Sequence, residues 1–239
     1  MWRRTLITHA DGTRDAATQV RWLQGSTLFA DLRQGAALPD FLHLRSLNDL
    51  TFEDCTALAQ QQGFAGRLGF DGDCFEWRRF IDFQPQAGAD AGRLRWEEDV
   101  LVETGRDVPY VEWWLRDPTV VTRPLAGARL RDVQTGVAAL VLQVGTVFMF
   151  ARDRKVALPE GKSLTECVAG AASVADARAL LDCEITLGSG AAGSDTVILA
   201  STHPWRVAER FELPSARARW EVIEAEGDPG AVWPGLFSG

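Results

Sequence analysis

Ionisable residues recur at every second position in several aromatic-rich runs of the first half of the chain. Asp31 and Arg33 are two apart and share that spacing with Phe29, and Glu76 and Arg78 repeat it. Leu101, Glu103 and Gly105 alternate with Val100 and Val102, and Tyr110, Glu112 and Trp114 alternate with Val111 and Trp113. Residues i and i+2 of an extended chain lie on one face, so each run reads as a strand with a charged side. Turned into a closed barrel, these sides would line a cavity with Asp31, Arg33, Glu76, Arg78, Glu103 and Glu112. Such a cavity would hold a small polar ligand or a proton with a displaced pKa. Turned outward, the same residues are cross-strand charge pairs worth about 0.2–1 kcal/mol each. The inward reading predicts a ligand-binding set of Arg33, Glu76, Arg78, Glu103 and Glu112, with Trp77 or Trp114 as a wall. On that reading Arg78→Ala strands a buried carboxylate and costs about 3–5 kcal/mol. The indoles of Trp22, Trp77, Trp96, Trp113 and Trp114 also read as ordinary core.

Other chemistry is sparse. Gly188, Gly190 and Gly193 have the spacing of a dinucleotide fingerprint, but a strand-like run, Asp195 to Ala200, follows where a helix is required. A hairpin loop is the better reading. The three histidines, His9, His43 and His203, are too scattered for a metal site, and His203-Pro204-Trp205 reads as an ordered turn. No nucleophile elbow, phosphate loop, zincin helix or calcium loop is present, so neither a cofactor nor a metal is expected. Cys55, Cys74, Cys167 and Cys183 form no Cys-x-x-Cys pair. They read as reduced thiols, Cys55 and Cys167 on helices and Cys74 and Cys183 on strands. The functional expectation is a non-enzymatic binding protein for a small polar molecule or a protein partner, with a homo-oligomer among the options. Two alternatives stand beside it. One is an isomerase or lyase of a small organic acid using the first-half carboxylates and arginines, and the other is a purely structural interaction protein.

Composition narrows the classes. The chain has 239 residues, with 25 basic against 33 acidic side chains and a net charge of −8. That balance argues against nucleic-acid or anionic-membrane binding driven by bulk positive charge. Arginine supplies nearly all the basic charge, and lysine occurs only at positions 155 and 162. The N-terminus carries Arg3 and Arg4 but no apolar segment after them. The longest apolar stretch, Val137 to Phe150, is interrupted by Gln143, Gly145 and Thr146 and is too short to span a bilayer. A cytoplasmic location with no membrane partner is therefore expected.

The elements that must position these residues are mostly strands. Candidates are Thr18–Gln24, Thr27–Arg33, Phe64–Phe70, Cys74–Phe83, Leu94–Trp96, Val100–Thr104 and Tyr110–Arg116. Gly25-Ser26 and Asp71-Gly72-Asp73 read as hairpin turns. A helix is predicted from Thr51, with Asp54 as its capping partner, to Gln62. The Pro-containing stretch Asp117 to Gly127 reads as a linker. Beyond it the order returns: apolar strands Val137–Val144 and Thr146–Arg152, a helix over Ser163–Leu181, then strands Glu184–Leu187, Thr196–Ala200, Arg206–Leu213 and Arg219–Glu224. Val137–Val144 is apolar on both faces, as in a strand buried on both sides. Matched pairs recur in order: Gln24 with Gln143, Ser46 with Ser163, Cys55 with Cys167, Cys74 with Cys183, Glu112 with Glu209. An internal duplication is the natural reading. The predicted fold is mainly β, with two tandem calycin- or lipocalin-like antiparallel barrels, each carrying one helix. The units would be residues 1–117 and 128–239, joined by a linker at 118–127.

Three segments carry a resemblance: Val102-Glu103-Thr104-Gly105, Tyr110-Val-Glu-Trp113 and Ala218-Arg-Trp220-Glu221-Val222-Ile223-Glu224. They resemble a fungal and bacterial family whose fungal member is described as a casein-kinase-interacting protein of unknown biochemical activity. Its members are two linked lipocalin-like barrels. The resemblance implies the fold and offers no catalytic motif. Around Trp22-Leu-Gln and Ala30-Asp-Leu-Arg33 this chain departs from the fungal pattern, so kinase binding is not implied.

Overall fold

A computed structural model describes residues 1–85, 88–190, 196–212 and 220–233. The first sheet contains β1 (Trp2–His9), β2 (Arg14–Asp15), β3 (Gln19–Gln24), β4 (Leu28–Gln34), β5 (Gln62–Phe70), β6 (Phe75–Asp82), β7 (Ala91–Glu97), β8 (Val100–Gly105) and β9 (Tyr110–Arg116). Each strand pairs antiparallel with its neighbour, and β9 returns to pair with β1 over Trp2 to His9. Eight strands thus close into a barrel, and β2 is a two-residue flap on β1. Closure limits the unpaired edge that an open sheet presents, although β6 and β7 meet only at Phe75–Gly92 and Glu76–Ala91.

Between β4 and β5 lie a 3-10 turn at Leu47–Asp49 and helix α1 (Phe52–Leu58). The Thr51 hydroxyl accepts from the Asp54 amide, and the Asp54 carboxylate accepts from the Thr51 amide and hydroxyl. Two orphan donors at the helix start are thereby satisfied. The helix is shorter than expected and stops before the Gln60-Gln61-Gln62 run, because Gln62 already belongs to β5.

The second sheet contains β10 (Leu125–Asp132), β11 (Ala138–Val144), β12 (Val147–Arg152), β13 (Glu184–Ser189), β14 (Val197–Ser201) and β15 (Trp220–Gly227). Helices α2 (Leu164–Ala169) and α3 (Val174–Leu180) join β12 to β13, and α4 (Pro229–Val232) follows β15. The order is β14-β13-β12-β11-β10-β15. This corrects the expectation of two barrels, since β14 and β15 are the two edges of an open sheet. The order matches β6-β5-β4-β3-β1-β9 of the first sheet strand for strand. Among the described residues nothing takes the places of β7 and β8. Six strands leave a gap that eight close, because barrel closure ties strand number to tilt and stagger.

Smaller expectations also change. The single helix over Ser163–Leu181 is two helices, broken at Gly170, where α2 ends. Arg206–Leu213 is not a strand over its described part. Pro204–Arg206 is a 3-10 turn, Arg210 makes one bridge to Val197, and Leu213 lies outside the described residues. Cys74 and Cys183 sit one residue ahead of β6 and β13 rather than within them. β10 begins at Leu125, inside the segment read as a linker.

One core joins the two sheets. Leu23, Leu28, Ala30, Leu32, Ala65, Ile81 and Phe83 on the outer face of the barrel pack with Leu140, Leu142, Val144, Met149, Ala151, Ile185 and Leu187 of the second sheet. Full burial of such a side chain is worth about 1.5–3 kcal/mol. The double-sided apolar character of β11 follows: Leu140 and Leu142 face the barrel, while Ala139 and Val141 face a separate cluster with Phe148, Phe150, Phe211 and Trp220.

A polar latch secures this packing. The Glu226 carboxylate accepts from the backbone amides of Ser26, Thr27 and Leu28 at 2.8, 2.7 and 3.1 Å, and from the Thr27 hydroxyl at 2.9 Å. The turn at Gly25 makes room for it, since a Cβ there would stand 2.0 Å from Glu226 Oε1. Hydrogen bonds to a charged group contribute about 1.5–3 kcal/mol. Glu226→Ala should therefore lower stability by about 2–3 kcal/mol, read as a lower denaturant midpoint at unchanged slope. An unchanged midpoint would show the latch to be dispensable.

Candidate functional site

The site begins with strand parity. Leu28, Ala30 and Leu32 of β4 are drawn to the second sheet, so Phe29, Asp31 and Arg33 must point into the barrel. Cross-strand partners share a face, and the register carries the inward set round the barrel: Trp22 opposite Asp31, Asp31 opposite Phe64, Glu103 opposite Glu112, Glu112 opposite Ile7. Two bulges alter the alternation. In β1 the register shifts between Arg4 and Leu6, so that Arg4 and Ile7 both join the inward rows. In β6 it shifts opposite Ala65 and Gly66, so that Arg79 and Asp82 both face inward while Ile81 faces the second sheet. Re-aiming side chains is what bulges do at barrel rims.

The interior is divided along its axis. One end is filled by indoles, with Trp22 at 5.8 Å from Trp2, 5.8 Å from Trp77 and 5.5 Å from Trp114. The other end is charged. Arg4 bridges Glu112 at 2.7 Å and Asp15 at 3.0 Å. Arg33 binds Asp31 at 2.7 Å and lies 3.9 Å from Glu112. Arg79 binds Asp82 at 2.8 Å and Asp90 at 2.5 Å. The guanidiniums of Arg33 and Arg79 both stand over the Phe64 ring, at 4.9 and 3.7 Å from its centre, a cation–π arrangement. These charges surround a cavity of about 800 Å³ at the barrel mouth, whose walls include Arg4, Asp15, Arg33, Arg79, Asp82, Asp90, Tyr110 and Glu112.

Glu103 differs from the other carboxylates. It is buried, with no cation bonded to it among the described residues, and accepts from the Tyr110 hydroxyl at 2.7 Å and the Trp114 indole N–H at 3.1 Å. Burial, followed by the negative charge of Glu112 across the strand pair, holds its carboxyl well above the usual range. Burial likewise raises Asp31, against the pull of Arg33. Burial opposes the charge on Arg33, but Asp31 and Glu112 outweigh it and keep the guanidinium protonated. Tyr110, the only tyrosine of the chain, is raised by burial and then by Glu103. Its hydroxyl connects Glu103 to the cavity.

The structure places the residues singled out in the sequence as follows. Arg33 and Glu112 lie at the mouth, Glu103 and Trp114 lie behind them, and Trp77 lines both levels. Glu76 and Arg78 are on the opposite face of β6 from Trp77, at the outer rim, paired at 3.2 Å with the Arg78 side chain 59% exposed. The expected large cost of Arg78→Ala is therefore corrected to that of a surface pair. Sequence reasoning missed Arg4, because the N-terminal run was not read as a strand, and Arg79 with Asp82, because a bulge defeats simple alternation. Asp90 enters from the turn before β7, where no periodicity applies. The i, i+3 spacing of Arg79 and Asp82 was the one visible signal. Among the described residues no three His, Cys, Asp or Glu side chains converge to hold a metal ion, and no helix is long and apolar enough to cross a membrane.

No family model matches the chain, and no curated protein sequence matches it. Among solved structures it is similar to the crystal structure of the uncharacterized protein YLR301w from Saccharomyces cerevisiae, with a TM-score of 0.54 and 12% identity. The match covers 95% of this chain and 98% of that one. This is a distant, full-length relationship of fold to a fungal protein, and it carries no activity.

Two measurements follow from this geometry. Arg4→Ala breaks the Arg4–Glu112 pair, whose side chains are only 6% and 4% exposed, and should cost about 3–5 kcal/mol. Arg78→Ala should cost about 0–1 kcal/mol; equal losses in the two variants would contradict the assigned orientations. The second measurement concerns pH. Because folding raises the Glu103 pKa, the folded state holds this proton more tightly than the unfolded chain does. Its contribution to stability is full below the unfolded value of about 4.3 and is lost as pH rises through the folded value. Above the unfolded value of about 4.3, Glu103→Gln should remove part of the decline in unfolding free energy with rising pH seen in the unmutated protein. Parallel pH profiles would show that Glu103 ionises freely in the fold.

Proposed function

We propose that the protein binds a small polar ligand carrying a positive charge in the mouth of the closed barrel. The balance of charge in and behind the mouth carries this reading. The described residues there supply five carboxylates, from Asp15, Asp31, Asp82, Asp90 and Glu112, against three guanidiniums, from Arg4, Arg33 and Arg79; the Glu76–Arg78 pair at the outer rim adds one of each, and the Glu103 carboxyl, held well above the usual range, adds none. Every guanidinium already holds a carboxylate. An anionic ligand would have to displace one of these internal partners, and a stranded buried carboxylate is costly. A cation adds the charge the site lacks. The indole of Trp77 and the phenol of Tyr110 give it aromatic walls.

A second reading has its own observation. Glu103, hydrogen-bonded to Tyr110 and opposite Glu112 across β8 and β9, is a pair of carboxyls in different surroundings, one beside a phenol and one beside a guanidinium. Such pairs serve acid–base chemistry, which supports an isomerase or lyase at the same mouth.

We also infer two units, near residues 1–117 and 128–239, descended from one ancestral unit. The matched strand order supports this, as do two shared details. Cys55 and Cys167 each lie four residues after a helix N-cap, Thr51 and Ser163. Gln24 and Gln143 each donate to a carbonyl of their own hairpin turn, that of Gly25 and that of Gly145.

The test is a thermal-unfolding screen of small amines against carboxylic acids and neutral analogues of matched size. Amines should raise the midpoint, with about 2.7 kcal/mol of stabilisation at one hundred times the dissociation constant. The effect should disappear in Asp90→Asn and persist in Glu76→Gln. Stabilisation by carboxylic acids alone, or by none of the compounds, would overturn the cationic-ligand reading. Turnover of a stabilising compound, lost in Glu103→Gln, would decide for the second reading.

A further inference from the structure

A second cavity, of about 940 Å³, lies on the far side of the Arg79–Asp82 pair, between β6 and the loop that joins β12 to α2. Lys155 and Lys162 both line it, and they are the only lysines among 239 residues. Arg154 lines it too and is 8% exposed. One terminal nitrogen of Arg154 donates to the Phe83 carbonyl at 2.5 Å, whereas its Nε is buried with no hydrogen-bond partner. None of these three cations forms an ion pair among the described residues.

The carboxylates of the same cavity are mostly occupied. Asp82 is held by Arg79. Glu166 accepts from the amide and hydroxyl of Ser163, both at 2.8 Å. Asp153 accepts from the Arg154 amide at 2.8 Å, and burial pushes its carboxyl upward. Glu160 is exposed.

We propose that this cleft is a second ligand site, taking a phosphate group as free phosphate or as a small phosphomonoester. Three cations line it without an ion pair among the described residues, two of them exposed ammonium point charges and one a guanidinium anchored on the Phe83 carbonyl, and together they match a dianion with several acceptor oxygens. Phe80, Leu158 and Pro159 supply an apolar floor for the organic part of an ester. The site borders the barrel mouth across Arg79, Asp82 and Pro85, and its three cations lie outside that mouth.

Having only two lysines makes the test direct. The full chain is treated with a limiting amine-acetylating reagent, and modification at Lys155, Lys162 and the N-terminus is followed by mass spectrometry. Inorganic phosphate at ten times its dissociation constant should slow both lysines by about tenfold, leave the N-terminal amine unchanged, and act beyond sodium chloride of equal ionic strength. Phenyl phosphate should protect at least as well. Protection by phosphate but not by phenyl phosphate would overturn the ester part of the proposal. Equal protection by succinate, or none beyond chloride, would overturn the site. Lys155→Gln/Lys162→Gln, which changes only the exposed loop, should abolish the phosphate-induced rise in unfolding temperature. Arg154→Gln, where it folds, should lose lysine protection with the intrinsic lysine reactivity retained; a phosphate-induced rise that survives the double lysine variant, or lysine protection that survives Arg154→Gln, would also overturn the site.

Discussion

The packing of the barrel wall against the open second sheet is the constraint from which the rest of the interior follows. A strand offers its residues alternately to two sides. Once Leu28, Ala30 and Leu32 are committed to Leu140, Leu142, Met149 and Ile185, β4 has no freedom left. Asp31 and Arg33 must enter the barrel, and there they must satisfy each other, because an unpaired buried charge costs several kcal/mol. The Glu226 carboxylate, seated on the turn between β3 and β4, holds the same strands in register with β15. The charged interior is thus a consequence of an apolar exterior.

Within the barrel, two irregularities do what regular strands cannot. The bulge in β6 lets Arg79 and Asp82 meet on the inside while Ile81 and Phe83 still reach the shared core. The bulge in β1 brings Arg4 to Glu112 and Asp15. Both lie toward the open end of the barrel. At the opposite end the packed indoles, Trp2 stacked on Trp22 and Trp77 and Trp114 edge-on to it, exclude water, which strengthens the charge pairs and penalises ionisation of Glu103. The contrast between a dry end and a wet end gives the site its direction.

The second sheet repeats the strand order but not the chemistry. Its inward face carries Val141, Phe148, Phe150, Phe211 and Trp220, where the barrel carries charges. Its buried polar residues bond to one another: Thr186 with Glu184 and Ser201, and Glu184 with Arg206. Of the two sheets, the closed one holds the charged cavity. The two lysines stand apart from both interiors, in the cleft between β6 and the loop that joins β12 to α2.

The sequence alone determined the strand-rich class, the hairpin turns at Gly25 and Asp71–Asp73, the capped helix after Thr51, and the doubly buried β11. These are legible because period-two alternation, turn residues and capping pairs are local. It also exposed the ionisable rows of β4, β8 and β9, since a charge every second residue is visible without knowing what faces it. The direction of those rows was not legible. Glu76 and Arg78 have the same spacing as Asp31 and Arg33 but point the other way, because only packing against a second sheet decides which parity is inside. Likewise, Arg79 with Asp82 depends on a bulge, Arg4 on a strand whose partner is more than a hundred residues away, and closure on the presence of β7 and β8. Tertiary structure decided these because each depends on contacts between residues distant in the chain, which no local pattern encodes.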